Sequence, residues 1–223
     1  MRKPLSQERV LAAALKLADK SGVSALSMRK LGQQLGVEAM SLYKHVTDKE
    51  AVLSGLVDRV VLQIEVPQPG TPWKPALKTR ATSAREALLR HPWALPLMHD
   101  LKPTDVRLSH NDRVLGLLRE GGCDLKLAYR ALLLLDSYVY GFVAQELSWQ
   151  SENPEAVDAM QAKALVETYP YFGEVLGHVT KLVEASGARA AYDAEFHFGL
   201  ELILATLDQS SRSVVRKRLP VRS

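Results

Sequence analysis

Apolar side chains recur at helical spacing along most of the chain, and polar or glycine-containing breaks separate the helical segments. Within residues 27–49, Met28, Leu31 and Leu35 fall on one helical face, and Gly36 can end that helix in the left-handed conformation. Helical character resumes a few residues later. A helix, a short turn containing glycine and a second short helix form the helix-turn-helix motif, whose second helix enters the major groove of DNA.

The same spacing predicts helices on both sides of this motif. One covers residues 6–20 and another residues 48–64, and the proline- and glycine-rich residues 66–75 mark a domain boundary. Beyond that boundary the pattern predicts helices only, with no convincing pair of strands. The further predicted helices cover residues 73–90, 93–100, 104–120, 124–149, 157–168, 172–185 and 190–210.

A denser pattern lies within residues 5–66. Its members are Leu11, Ala12, Ala13, Ala14, Leu15, Gly22, the helix start over 27–31, Leu35, Gly36, Val37, the segment 42–46 and Lys49. This pattern resembles the DNA-binding domain of the tetracycline-repressor (TetR) family of transcriptional regulators. The resemblance implies an all-α fold with an N-terminal three-helix helix-turn-helix DNA-binding domain, residues 1–66. It also implies a helical C-terminal domain for ligand binding and dimerisation, residues 67–223.

The resemblance places the DNA contacts at the start of the motif and on its second helix. Arg29 is the best base reader, because a guanidinium can pair with guanine O6 and N7 together. Tyr43 and Lys44 suit phosphates, whereas Met28, Ala39 and Met40 suit thymine methyl groups. Tyr43 packed into the small domain and Met40 simply buried remain the alternatives. The predicted contact set is Ser27, Met28, Arg29, Ala39, Met40, Ser41, Tyr43, Lys44, His45 and Lys49.

The distribution of charge along the chain supports an N-terminal domain that contacts DNA phosphates. Residues 1–50 contain nine Lys and Arg against five Asp and Glu, residues 51–208 contain fifteen against twenty, and the last fifteen residues contain five basic groups and no acid. A basic N-terminal domain followed by a mildly acidic C-terminal domain suits DNA binding by the N-terminal domain alone. A chance asymmetry on a solvated surface is the alternative.

Two helices carry more apolar surface than one core needs. The helix over 124–149 is apolar on several sides, and the helix over 190–210 has a long apolar stripe. An intrachain core explains this pattern by itself. The family resemblance instead implies that both helices pair with those of a second copy in a four-helix bundle. We therefore expect a homodimer on a palindromic double-stranded operator, separated into monomers by a charge at Leu135 or Leu200.

The resemblance implies that the C-terminal domain holds a cavity, and that a ligand there changes the spacing of the two DNA-binding domains of the dimer. The predicted lining is Trp93, Met98, His99, Tyr138, Phe142 and Gln145. Such side chains suit a small hydrophobic or aromatic ligand, although aromatic residues also serve as ordinary helical core. Tetracycline itself is not expected, because Gln145 stands where the resemblance calls for an acidic residue.

No motif for catalysis, a cofactor or a metal is present. The chain has no glycine-rich phosphate loop, no GxSxG and no HExxH, and its six histidines are scattered singly. The single cysteine, Cys123, excludes an intrachain disulfide and predicts an inert thiol. No apolar segment follows the N-terminus, and the longest apolar run is interrupted by Asp136, so we expect a cytoplasmic protein. The sequence predicts a DNA-binding transcriptional repressor released by a small molecule. A helical protein-interaction module is the alternative.

Overall fold

Helices make up the fold, which a computed structural model describes for residues 4–66, 68, 70–151 and 166–218. No strand occurs in these residues, which confirms the all-α prediction. We call residues 4–66 the head and residues 70–218 the body. The helices are α1 (Gln7–Ser21), α2 (Met28–Leu35), α3 (Ala39–Leu42), α4 (Lys49–Val61), α5 (Trp73–Arg90), α6 (Ala94–Asp100), α7 (Asp105–Glu120), α8 (Leu125–Ser151), α9 (Pro170–Ser186) and α10 (Ala188–Arg218).

Polar caps fix where the head helices begin. The side chains of Ser6, Ser27 and Asp48 each accept a backbone N–H three residues further on, at 3.3, 3.2 and 2.7 Å. Each cap satisfies a donor that the first turn of a helix cannot pair internally. The three helix starts therefore agree with the sequence pattern. The second helix of the motif, α3, is shorter than expected because it ends at Leu42.

The turn between α2 and α3 depends on two glycines. Gly36 adopts the left-handed conformation, with φ 69° and ψ 36°, and the N–H of Val37 donates to the carbonyl of Gly32 at 3.0 Å. These contacts close α2 in the usual glycine-ended way. A Cβ on Gly32 would lie 2.8 Å from the carbonyl oxygen of Val37. The absent side chain of Gly32 therefore allows the turn to fold back closely over α2.

The head has its own apolar core. One face of each head helix meets at its centre, and α3 contributes its only buried residue, Leu42. Leu42 thereby fixes which side of α3 faces solvent. The fully buried head residues are Val10, Ala14, Leu31, Leu42, Val52, Leu56, Val57 and Val60.

In the body, α5, α8 and α10 pack against one another. Leu135 on α8 and Leu200 on α10 lie inside this protomer's own core, with side chains 1% and 0% exposed. A charge at either position would therefore disrupt folding rather than report on dimerisation, which corrects the expectation from the sequence. Cys123 is buried, and burial raises the pKa of its thiol, as expected for an inert cysteine.

Other helix bounds differ from the sequence prediction at their ends. The last helix extends to Arg218, beyond the predicted residue 210. The helix predicted over 157–168 falls mostly outside the described residues.

The helix α8 is unusually apolar. Among the described residues, it alone is long and apolar enough over Leu125–Trp149 to cross a membrane, with a mean hydropathy of 1.2. Asp136 interrupts its apolar run, as noted from the sequence, yet the whole helix is still long and apolar enough when judged by length and composition alone. Two of its carboxylates, Asp136 and Glu146, form ion pairs with Arg80 and Arg85 of α5. A long apolar helix with such pairs also suits the centre of a helical domain.

Candidate nucleic-acid interface and ligand pocket

The outer side of α3 and the start of α2 carry exposed side chains. Met40 is 72% exposed and Tyr43 is 45% exposed, while Lys44 and Arg29 are exposed as well. The alternative in which Met40 is buried is therefore wrong, and Tyr43 covers the head only in part. In the part of the chain that the structure describes, neither Arg29 nor Lys44 has an ion-pair partner. Both cations are available to an external anion.

The other predicted contact residues range from half-buried to exposed. Ser27 accepts the capping hydrogen bond, so its hydroxyl hydrogen remains able to donate to a phosphate. Met28 packs partly against the head core, and Lys49 is exposed at the first turn of α4. Ala39, Ser41 and His45 are half-buried. The predicted set thus lies around one motif, and its role in DNA contact stays a prediction.

A first group of polar contacts joins the head to the body through α1. The Asp19 carboxylate accepts the indole N–H of Trp93 at 2.8 Å and lies 2.7 Å from Nδ1 of His91. The other ring nitrogen of His91 is 3.0 Å from the side-chain nitrogen of Gln63, just beyond α4. Trp93 is buried here, at the junction between head and body.

A second group joins α4 to the start of α7. The hydroxyl of Thr104 donates to Asp58 at 2.6 Å, and Nε of Arg107 lies 3.2 Å from the same carboxylate. Arg107 also donates to the backbone carbonyl of Leu101 at 3.3 Å. These contacts hold the start of α7 against α4, which packs beside the DNA-binding motif in the head.

A cavity of about 440 Å³ lies between α8, α9 and α10. Its walls are mostly apolar and aromatic. The lining residues are Phe142, Gln145, Trp149, Phe172, Val175, Leu176, His178, Val179, Leu182, Val183, Ala191, Tyr192 and Glu195. We call this cavity the α8–α10 pocket. Its size and apolar lining are those of a small-molecule site.

The predicted ligand residues do not all meet at this pocket. Phe142 and Gln145 line it, and the ring of Tyr138 lies 5.8 Å from that of Phe142. Trp93 lies instead at the junction between head and body. His99 is exposed, with its ring 5.4 Å from Tyr140, and the nearby Met98 is half-buried on α6.

A buried ion cluster, absent from the sequence predictions, lies behind the pocket. Arg85 donates from Nε and Nη2 to the two carboxylate oxygens of Glu146, at 2.8 and 2.9 Å, and from Nη1 to Asp193. Its guanidinium also lies 5.7 Å from the ring centre of Phe142 and 5.1 Å from that of Phe196. Burial opposes the charged form of Arg85, but the hydrogen bonds to Glu146 and Asp193 outweigh it and raise the pKa of Arg85. The cluster ties α5, α8 and α10 together.

A second cavity, of about 600 Å³, lies between the end of α4 and α7. His110, on its wall, accepts a hydrogen bond from Nε of Arg80 at 3.1 Å, while Arg80 also donates to Asp136 at 2.9 Å. Burial and the positive charges of Arg80 and Arg113 lower the pKa of His110 to about 4. Burial, followed by the charge of Asp136, raises the pKa of Tyr140 to about 12.

These features define a class of protein: a helix-turn-helix head with free cations, fixed by polar contacts to a helical body with cavities. Comparison with known sequences gives the family. Residues 10–56 match the family described as "Bacterial regulatory proteins, tetR family", and residues 66–210 match "Tetracyclin repressor-like, C-terminal domain". The chain therefore belongs to the tetR family. It is a DNA-binding regulator of transcription rather than an enzyme, and ligand responsiveness is typical of the family.

Similar proteins and structures agree with this membership. The chain is 30% identical over 212 residues to the HTH-type transcriptional repressor DrrR1 of Streptomyces coeruleorubidus, covering 92% of this chain and 77% of that one. It resembles apo ActR from Streptomyces coelicolor with a TM-score of 0.76 at 28% identity, covering 96% of this chain and 100% of that chain. For ActR in complex with actinorhodin the TM-score is 0.72 at 30% identity, covering 94% and 99%.

Proposed function

We propose that this protein is a homodimeric, cytoplasmic repressor that leaves its operator when a small hydrophobic or aromatic ligand enters the α8–α10 pocket. We also propose that residues 1–66 form the DNA-binding domain and residues 67–223 the ligand-binding and dimerisation domain. The observation that carries the proposal is the exposed motif, whose Arg29 and Lys44 have no ion-pair partner among the described residues, on a body with an aromatic pocket. Similarity to a repressor and to a ligand-bound regulator supports it.

Exposed apolar side chains on the two long helices support the dimer. On α8, Tyr129, Leu133 and Leu134 are 59%, 49% and 47% exposed, and on α10, Phe198 and Leu202 are 64% and 56% exposed. Large apolar surface left open on two adjacent long helices is typical of an interaction site. A two-fold dimer would set two recognition helices about 34 Å apart, which matches successive turns of one face of DNA.

The junction between head and body supports release by a ligand. Because Asp58 and Asp19 hold the head to α7 and to the α5–α6 turn, a shift of the body changes the head angle. A coupling of about 1–3 kcal/mol between the two sites is enough for regulation.

The operator is found first by selecting bound sequences from pooled oligonucleotides, and affinity is then measured across a salt series. We expect a steep loss of affinity with salt, since phosphate contacts release counterions. Arg29→Ala should relax discrimination at one base position and cost about 1–3 kcal/mol. Lys44→Ala should weaken binding to all DNA sequences alike and lower the slope of log affinity against log salt concentration by about one unit. Lys181→Ala, an exposed substitution on α9, serves as the control.

Two results would contradict the proposal. The first is a selection that enriches no sequence, which would favour the interaction-module alternative. The second is an equal effect of the Arg29, Lys44 and Lys181 substitutions, which would remove the DNA contact from the motif.

A further inference from the structure

Aromatic side chains from all three of its helices line the α8–α10 pocket. Phe142 and Trp149 come from α8, Phe172 from α9 and Tyr192 from α10. Most of the remaining lining is aliphatic. A bound ring system would therefore meet aromatic side chains from more than one helix, and the face of each such ring carries the negative part of its quadrupole.

The ionisable groups of this lining favour one sign of charge. Among the described lining residues, Glu195 on α10 is the carboxylate, His178 on α9 and Tyr192 on α10 are the other titratable side chains, and none is Lys or Arg. Both Glu195 and His178 are exposed residues. Among the described residues, Glu195 has no ion-pair partner. The carboxylate is thus available to a charged group of a ligand.

The charged side chains behind the aromatic rings add to the negative potential of the pocket. The single charge of Arg85 faces two carboxylates, Glu146 and Asp193, so the cluster holds one negative charge in excess. Arg189, on the solvent side, lies 3.9 Å from Asp193 and is 64% exposed, so water screens it. Burial and the charge of Glu146 raise the pKa of Tyr192 on the pocket wall, as a negative local potential does.

We propose that the ligand of the α8–α10 pocket is an aromatic molecule that carries a protonated amine, an inference that rests on the proposed function above. Aromatic faces attract a cation, and Glu195 supplies its counter-charge. An uncharged aromatic molecule gains only the apolar contacts. An aromatic acid meets excess carboxylate and, among the described lining residues, no Lys or Arg, so it binds least well.

Three probes with one ring system test the charge preference: 9-(aminomethyl)anthracene, 9-(hydroxymethyl)anthracene and anthracene-9-carboxylate. Binding to the full-length protein is followed by quenching of Trp149 fluorescence. A Trp149→Phe variant gives the background from Trp73 and Trp93, which lie outside this pocket. We expect the amine to bind about five- to tenfold more tightly than the alcohol, and the acid to bind most weakly.

Glu195→Gln identifies the source of the preference. The amide should lower the advantage of the amine over the alcohol by about threefold, because one nearby charge at a partly exposed site is lost. Binding of the alcohol should not change. Glu184→Gln is the matched control, since Glu184 is exposed on α9 and does not line the pocket. An alcohol or acid that binds the native protein as tightly as the amine would overturn the inference, as would a Glu195→Gln variant with an unchanged preference.

Operator release separates this inference from the proposed function. The selected operator fragment is labelled, and its release is followed by anisotropy as each probe is added. Release by the alcohol or acid in preference to the amine keeps the repressor function and refutes the charge preference. Tight binding of the amine without any release supports the charge preference and refutes release from this pocket. Absence of binding by all three probes overturns the inference itself.

Discussion

Removal of the buried guanidinium tests how the body is held together. Arg85→Met leaves Glu146, whose side chain is 0% exposed, without a cation, whereas Asp193 is 41% exposed and can turn to water. The loss of folding stability in Arg85→Met is therefore determined mainly by Glu146. An unpaired buried charge costs about 3–5 kcal/mol, which is a large share of a typical folding free energy of about 5–15 kcal/mol.

A double variant distinguishes lost pairing from lost packing. Arg85→Met with Glu146→Leu removes both charges and leaves apolar side chains beside the rings of Phe142 and Phe196. Because replacing a buried pair with apolar groups of similar volume is often neutral or stabilising, we expect most of the lost stability to return. Lys78→Met is the control, because Lys78 and Glu201 form a half-exposed pair, for which the expected cost is at most about 1 kcal/mol.

The assay is urea unfolding followed by circular dichroism, at one protomer concentration because dimer stability depends on concentration. The urea dependence should keep the same slope in all variants, so that midpoints report stability. The reasoning fails if Arg85→Met costs no more than Lys78→Met. It also fails if the double variant is less stable than Arg85→Met alone.

Three further substitutions test other parts of the structure. Gly32→Ala should lower the stability measured by urea unfolding by about 1–2 kcal/mol, because a Cβ there meets the turn backbone at 2.8 Å. Gly116→Ala, in open space on α7, should instead raise the stability by up to about 1 kcal/mol. Equal effects of the two substitutions would refute the close approach at Gly32. The pKa of His110 is about 4 in the native protein, against 6.5 in the unfolded chain. Its contribution to the free energy of unfolding is therefore complete above pH 6.5 and is lost as the pH falls to 4, by about 1.4 kcal/mol per pH unit. His110→Gln should remove that slope between pH 6.5 and 4.5, and an unchanged pH profile would refute the assignment. Leu202→Glu should give folded monomers by ultracentrifugation, whereas Leu62→Glu, at an exposed leucine of the head, should leave the dimer intact. A dimer in both variants would place the interface elsewhere.

Local chemistry made the head predictable from its sequence. A capping hydroxyl or carboxylate acts on a backbone N–H three residues away, and a glycine such as Gly36 acts on the turn that contains it. These effects need no knowledge of the rest of the fold. The same local patterns placed the starts of most body helices within a few residues, including α7 after its cap Thr104.

The buried ion cluster could not be paired from sequence, because Arg85 and Glu146 are 61 positions apart. A partial signal existed. Glu146 continues the buried stripe of Leu135, Val139 and Val143 on α8, so helical spacing places a carboxylate at a core position. A charge at such a position requires a partner, although the spacing does not say which one.

The ligand pocket was predicted only in part for a different reason. Aromatic composition shows which side chains can cover a ligand, but it does not show on which side of the body they lie. Phe142 and Gln145 face the pocket, whereas Trp93 uses its indole N–H to hold the head through Asp19. A sequence pattern gives the face of one helix and leaves open the neighbour it meets.

The position of α5 explains how distant parts of the body can act on the head. The hydroxyl of Ser83 accepts the N–H of Glu65 at 2.9 Å, just after α4. Two residues further along α5, Arg85 reaches Glu146 and Asp193 behind the α8–α10 pocket. One rigid helix thus contacts both the chain leaving the head and the wall of the pocket. Under the proposed function, a ligand that moves α10 would act on the head through α5, without any contact of its own with the head.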